Sequence, residues 1–100
     1  MASSRLELQA LLEEIAENVY FQPPSNLLME YPCIHYVIEG GELKHADNRL
    51  YKHTKRYQVT VIDRNPDSPL PDQVIELPLC SFDRFFAADD LNHYVFTLFF

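Results

Sequence analysis

The stretch Lys55 to Asp63, KRYQVTVID, decides the fold. Its residues alternate, with Tyr57, Val59 and Val61 on one side and Gln58 and Thr60 on the other, which is the period of a strand with one buried face. β-branched and aromatic side chains favour this extended state. Such a strand needs ladder partners and a layer over its apolar side. Both are readable in the flanking sequence.

Downstream, RNPDSPLP (64–71) holds three prolines, which cannot pair in a ladder, and reads as a loop. DQVIEL (Asp72–Leu77) follows as a short helix, with Pro71 and Asp72 suited to its start and Pro78 to its end. LCSFDRFFAADDLNHYVFTLFF then divides into two strands, Leu79–Ala87 and Asn92–Phe100, around the polar turn ADDLN. Upstream, YPCIHYVIE (Tyr31–Glu39) is a strand with Pro32 near its start, and Gly40-Gly41 is expected to end it. Between the two strands, ELKHADNRLYKHT has no strong period and carries the turn pair Asp47-Asn48, so it is a loop or a long hairpin arm.

The covering layer begins at Ser4, where SRLE places Glu7 three residues after a hydroxyl in the capping-box arrangement. Leu8, Leu11, Leu12, Ile15 and Val19 recur at helical spacing, with Glu7, Glu13, Glu14 and Glu17 largely opposite. The helix is expected to stop near Asn18, ahead of the β-prone VYF and of Pro23-Pro24. This exit, ENVYFQPP (17–24), resembles the potyviral protease site used to remove purification tags. Pro23 after the scissile position fits such a site poorly, and an amphipathic helix lies upstream, so the octapeptide reads as native sequence. The outline is α-β-β-α-β-β with an extra edge strand at Val19–Phe21. The expected class is α+β: a mostly antiparallel sheet of four to five strands, packed by an N-terminal helix and a short second helix, as a single domain over 1–100.

A chain of 100 residues with 47% apolar residues and two glycines has globular composition. The chain has thirteen aromatics, nine of them in its second half, more than a small monomer easily hides, so some are expected to meet a partner chain. The net charge of −7 repels phosphate backbones, and the basic cluster KHTKR (52–56) is too short to line a groove. Nucleic acid is therefore not an expected specific ligand. Cys33 and Cys80 lie in apolar runs with no secretory signal ahead of them, which points to two reduced, buried thiols in the host cytoplasm. No apolar run approaches the ~20 residues of a membrane span.

Chemistry-bearing constellations are weak. In DDLNH, Asp89, Asp90 and His93, with Asp83 across the hairpin, are the best metal candidates, but Asp-rich turns arise from local backbone bonding alone. Asp63, Asp67 and Asp72 resemble a calcium loop without its glycine or terminal glutamate. His35, His45 and His53 fall at no ligand spacing, and His35 within a strand reads as a satisfied core or interface imidazole. The cysteines lack basic neighbours, Ser68 and Ser81 lack an elbow, and a phosphate-cradling loop is missing. The reading is of a protein that is not an enzyme and takes no cofactor. Its main rival is a metal-dependent hydrolase built on Asp83, Asp89, Asp90 and His93. A second rival is a cytosolic partner-binding domain that is monomeric alone.

Five of the eight basic residues, Lys44, Arg49, Lys52, Lys55 and Arg56, collect in one arm of an acidic chain. That arm is either a solvated hairpin or a contact with the acidic helix of a neighbouring copy. The ordered blocks ENVYFQPP, YPCIHY, KRYQVTVIDRNPDS and LPLCSFDRFFAADDLNHYVFTLFF resemble the tail-completion or tail-terminator (head-tail joining) proteins of long-tailed bacteriophages, over about Glu17–Phe100. The resemblance implies a structural virion protein forming a homo-oligomeric ring, commonly of six, at the head-proximal end of the tail. There it ends tube polymerisation and meets the tail tube protein and the head-tail connector protein. A neck or connector role in another ring layer is the alternative. The expected location is the virion neck, and the host cytoplasm before assembly. The residues expected at the inter-subunit contact are Lys52, Lys55 and Arg56, then Tyr20, Phe21, Phe85 and Phe86. An acidic ring subunit suits a channel through which DNA slides without sticking.

Overall fold

The computed structural model describes residues 5–42 and 55–100, apart from the side chains of 41 and 42. Ser4 of the capping box lies outside the described residues, as do Lys44, His45, Arg49, Lys52 and His53 of the basic arm. The elements run α1 (Arg5–Ile15), β1 (Val19–Phe21), β2 (Cys33–Glu42), β3 (Lys55–Asp63), α2 (Leu70–Ile75), β4 (Cys80–Ala88) and β5 (Leu91–Phe99). One five-stranded sheet has the order β1-β2-β3-β5-β4. Only β1 and β2 are parallel, and the other pairs are antiparallel. The α+β expectation, with its two helices and mostly antiparallel sheet, describes this architecture.

Both helices cover the same face. Leu8, Leu12 and Ala16 from the first, and Leu70 and Val74 from the second, pack on Ile34, Tyr36, Tyr57, Val59, Val61, Phe96 and Leu98. Tyr57, Val59 and Val61 thus point into the core as their alternation requires. Arg5 fastens the start of α1 to this layer. Its Nη1 donates to the Tyr36 hydroxyl at 3.1 Å, and its guanidinium lies 4.4 Å from the centroid of the Phe21 ring. The Tyr36 hydroxyl in turn donates to Gln9.

Among the described residues the opposite face is covered at one end only. Cys33, Ile62 and Leu91 form a small second cluster beneath Tyr20, Met29 and Tyr31, so the link between the parallel strands β1 and β2 serves as a partial lid. Parallel neighbours demand such a crossover, because a tight turn cannot join them.

Several boundaries differ from expectation. Gly40-Gly41 does not end β2. The strand continues to Glu42 with register shifts on both sides of Gly40, whose φ of 114° only glycine adopts readily. α2 starts at Leu70, two residues earlier than Asp72, because the Leu70 amide donates to Ser68 Oγ at 3.2 Å and Leu70 itself is buried. The hairpin turn is tighter than ADDLN: Asp89 and Asp90 alone form it, at φ 55° and 62°. Positive φ at both central residues is the condition for a turn that matches strand twist. Leu91 and Asn92 therefore belong to β5.

Candidate functional site

β4 closes one end of the sheet, and among the described residues no strand pairs with its outer side. Every residue from Ser81 to Ala88 is exposed. Phe82, Phe85 and Phe86 are 52%, 49% and 40% exposed, which is unusual for three large apolar rings in one strand.

A bulge sets where these rings point. Phe82 pairs with Phe96 and Arg84 with Val95, leaving Asp83 as the extra residue. Without it, Phe82 and Phe85 would lie on opposite faces, since they are three positions apart. With it, both lie on the helix-covered face, next to Phe96 and Tyr94. Phe82 meets Phe96 edge-on at 5.6 Å, and Phe85 meets Tyr94 at 5.0 Å. On the other face Phe86 stacks on His93, with centroids 4.4 Å apart and planes within 12°. Each ring rests one side on β5 and leaves the remainder to solvent. At the bulge, Arg84 Nη1 and Asp83 Oδ2 form a 2.9 Å ion pair whose side chains are 57% and 41% exposed.

The open face holds the remaining chemistry. His35, Thr60 and Val95 share a cross-strand row on β2, β3 and β5. The expectation of a satisfied His35 is not met: its Nδ1 is buried without a hydrogen-bond partner. Burial, and then the nearby His93, push the pKa of His35 down. His93 Nδ1 lies 3.2 Å from the Leu91 carbonyl, a distance that suits an N–H donor there. Among the described residues no three His, Cys, Asp or Glu come together as a metal centre. Asp83 lies in the bulge beside Arg84, while Asp89 and Asp90 form the turn, roughly 16 Å further along by strand rise. In the 64–71 loop the Asp63 carboxylate accepts the Asn65 amide at 3.0 Å, and Asn65 Oδ1 accepts the Asp67 amide at 2.9 Å. These acids shape turns.

The thiols are free. Cys33 is fully buried, and burial together with Asp63 raises its pKa to about 12. Cys80 is only half-buried, less than expected, and burial raises it to about 11. Neither has the electropositive setting of a nucleophile.

Of the residues expected at an inter-subunit contact, those described are dispersed, and Lys52 lies outside the described residues. Lys55 is exposed at the start of β3, its amide and carbonyl bonded to Phe100. Arg56 turns to its own chain, with Nε 3.7 Å from Glu39 Oε1 and Nη2 donating to the Glu39 carbonyl at 3.3 Å. Tyr20 is half-buried and its hydroxyl accepts the Glu30 amide, while Phe21 lies 4.9 Å from Tyr36. Phe85 and Phe86 alone of the aromatic candidates share one exposed edge. Phe82, which sequence reasoning passed over, joins them because of the bulge. No protein-family model, curated protein or solved structure matches the chain. No helix among the described residues is long and apolar enough to cross a membrane.

Proposed function

We propose that this protein is a self-associating structural domain, whose work is binding copies of itself and neighbouring proteins. Within that class, the reading is of a tail-terminator-like subunit. It forms a ring at the head-proximal end of a long-tailed phage tail, where it ends tube growth and receives the head connector. The observation that carries self-association is the outer edge of β4, unpaired among the described residues, with Phe82, Phe85 and Phe86 half in solvent. An open edge lined with rings favours strand addition or a permanent apolar contact, and isolated domains usually blunt such edges.

Support for the particular assembly comes from the collinear sequence blocks and from the charge of −7, which keeps an acidic channel from binding the DNA that passes through it. A ring needs unlike faces that meet head to tail. The exposed Glu13 and Glu14 of α1 supply acidic charge, and the sequence from Lys44 to Arg56 supplies basic charge to meet it. Light scattering on the purified protein tests this reading: a ring of six has a mass near 70 kDa, six times 11.7 kDa. The triple reversal K52E/K55E/R56E is expected to abolish that species while leaving the fold intact. A strictly monomeric wild-type protein at high concentration would reject self-assembly, and a ring unaffected by the reversal would reject the arm as its contact.

A further inference from the structure

The sequence of the bulge is nearly its own mirror image. Phe82-Asp83-Arg84-Phe85 reads ring, acid, base, ring, so an antiparallel copy laid alongside sets unlike charges opposite and rings against rings. We infer that β4 pairs in antiparallel fashion with β4 of a second copy, about a two-fold axis between Asp83 and Arg84. This rests on the self-association half of the reading above and not on the ring.

In that register Asp83 faces Arg84 of the partner, and Phe82 faces its Phe85, each contact occurring twice as two-fold symmetry demands. The facing residues also agree in which side of the sheet they occupy. Phe82 pairs with Phe96, and Phe85 with Tyr94, both on the helix-covered face. Phe86 and Ser81 face one another across the copies, and they pair with His93 and Thr97, which share the open face. Ala87 and Cys80 likewise face one another and pair with Asn92 and Leu98 on the helix side. A shift of the partner by one residue breaks all of these matches.

The bulge would ordinarily hinder addition, because it twists the edge away from a regular strand. A strand with the same bulge at the same place is the partner that matches it. Two five-stranded sheets then become one continuous sheet of ten, and the intramolecular Asp83–Arg84 ion pair at 2.9 Å is exchanged for two across the interface. Such pairing covers the rings of β4 without recourse to another protein.

Charge exchange at the axis tests the pairing. Wild-type protein is expected by sedimentation to give a species near 23 kDa, twice 11.7 kDa, or, where the arm also closes the ring, two joined rings of about 140 kDa, twelve times 11.7 kDa. D83R should weaken that pair about tenfold by setting four cations around the axis, and D83R/R84D should restore it. Circular dichroism confirms that each variant is folded. In a Cys80→Ser background, mixing F82C with F85C should give a disulfide-linked mixed dimer, whereas each alone should not. The inference is overturned by the absence of both the 23 kDa and the 140 kDa species, by a D83R pair as tight as wild type, or by F82C linking to itself as readily as to F85C. A 23 kDa species with nothing larger removes the ring and leaves the pair. A ring near 70 kDa with no species near 23 kDa or 140 kDa removes the pair and leaves the ring.

Discussion

The guanidinium of Arg5 bridges two aromatic side chains, donating to the Tyr36 hydroxyl at 3.1 Å while lying 4.4 Å from the Phe21 ring centroid. It thereby ties α1 to both β1 and β2. Tyr36 is fully buried, and burial pushes its pKa up against the opposing pull of Arg5. Replacing Arg5 with Ala should cost about 1–2 kcal/mol, the combined worth of a charge-assisted hydrogen bond and a cation–π contact. Chemical denaturation of R5A reads this directly.

Leu12 and Leu6 sit on the same helix with opposite fates. Leu12 is 0% exposed within the core and Leu6 is 67% exposed. Leu12→Ala should destabilise by roughly 2–5 kcal/mol through lost burial and the cavity left behind, and Leu6→Ala by less than about 0.5 kcal/mol. Equal losses in paired thermal melts would mean that α1 packs through another stripe.

Leu79 occupies the left-handed region, at φ 60°, immediately before β4, and is 54% exposed. A branched side chain is strained there, and its apolar surface recovers little of the cost. Leu79→Gly should therefore raise stability by about 1 kcal/mol, seen as an increased Tm. The Phe99 amide bonds the Leu79 carbonyl at 3.1 Å, a contact the glycine keeps.

Two buried groups make stability depend on pH. The His35 pKa is lowered in the folded protein, so the unfolded chain binds its proton first, and stability should fall as pH drops below about 6.5. His35→Asn should flatten that slope between about pH 7 and pH 5 in thermal melts. Cys33 acts at the other end. With its folded pKa near 12, the unfolded thiol ionises first, and stability should decline as pH rises above about 9.

Thiol labelling gives a separate measure of the same burial. A maleimide at about pH 8 should modify Cys80 before Cys33, and both slowly until denaturant is added, because neither is appreciably ionised in the fold. Rapid labelling of Cys33 in native protein would contradict its placement beneath Met29 and Tyr31.

What the sequence disclosed follows from how much each element depends on local chemistry. β3 was readable to the residue because Tyr57, Val59 and Val61 alternate against Gln58 and Thr60. β1 was readable from its β-branched and aromatic residues ahead of two prolines. The strand order was not readable, since β4 and β5 are both aromatic, yet one ends the sheet and the other lies inside it. The bulge at Asp83 was equally hidden: nothing in FDRF announces an extra residue until its partners on β5 are known. Phe82 escaped notice for that reason. The exposure of Phe85 and Phe86 agrees with an aromatic surplus in the second half of the chain.

The strand that joins the sheet's halves follows every other described element in the sequence. β5 lies between β3 and β4, so a growing chain that has reached only Asp90 has no element that can connect them. During synthesis the part of the core that Phe96 and Leu98 fill stays open, and β4 has no described neighbour, until residues 91–99 follow. The hairpin over Asp89 and Asp90 is local and quick to form, whereas its docking on β3 closes a long loop. Completion of the sheet consequently waits on residues 91–99, and a chain that stops at Asp90 lacks the keystone of its sheet.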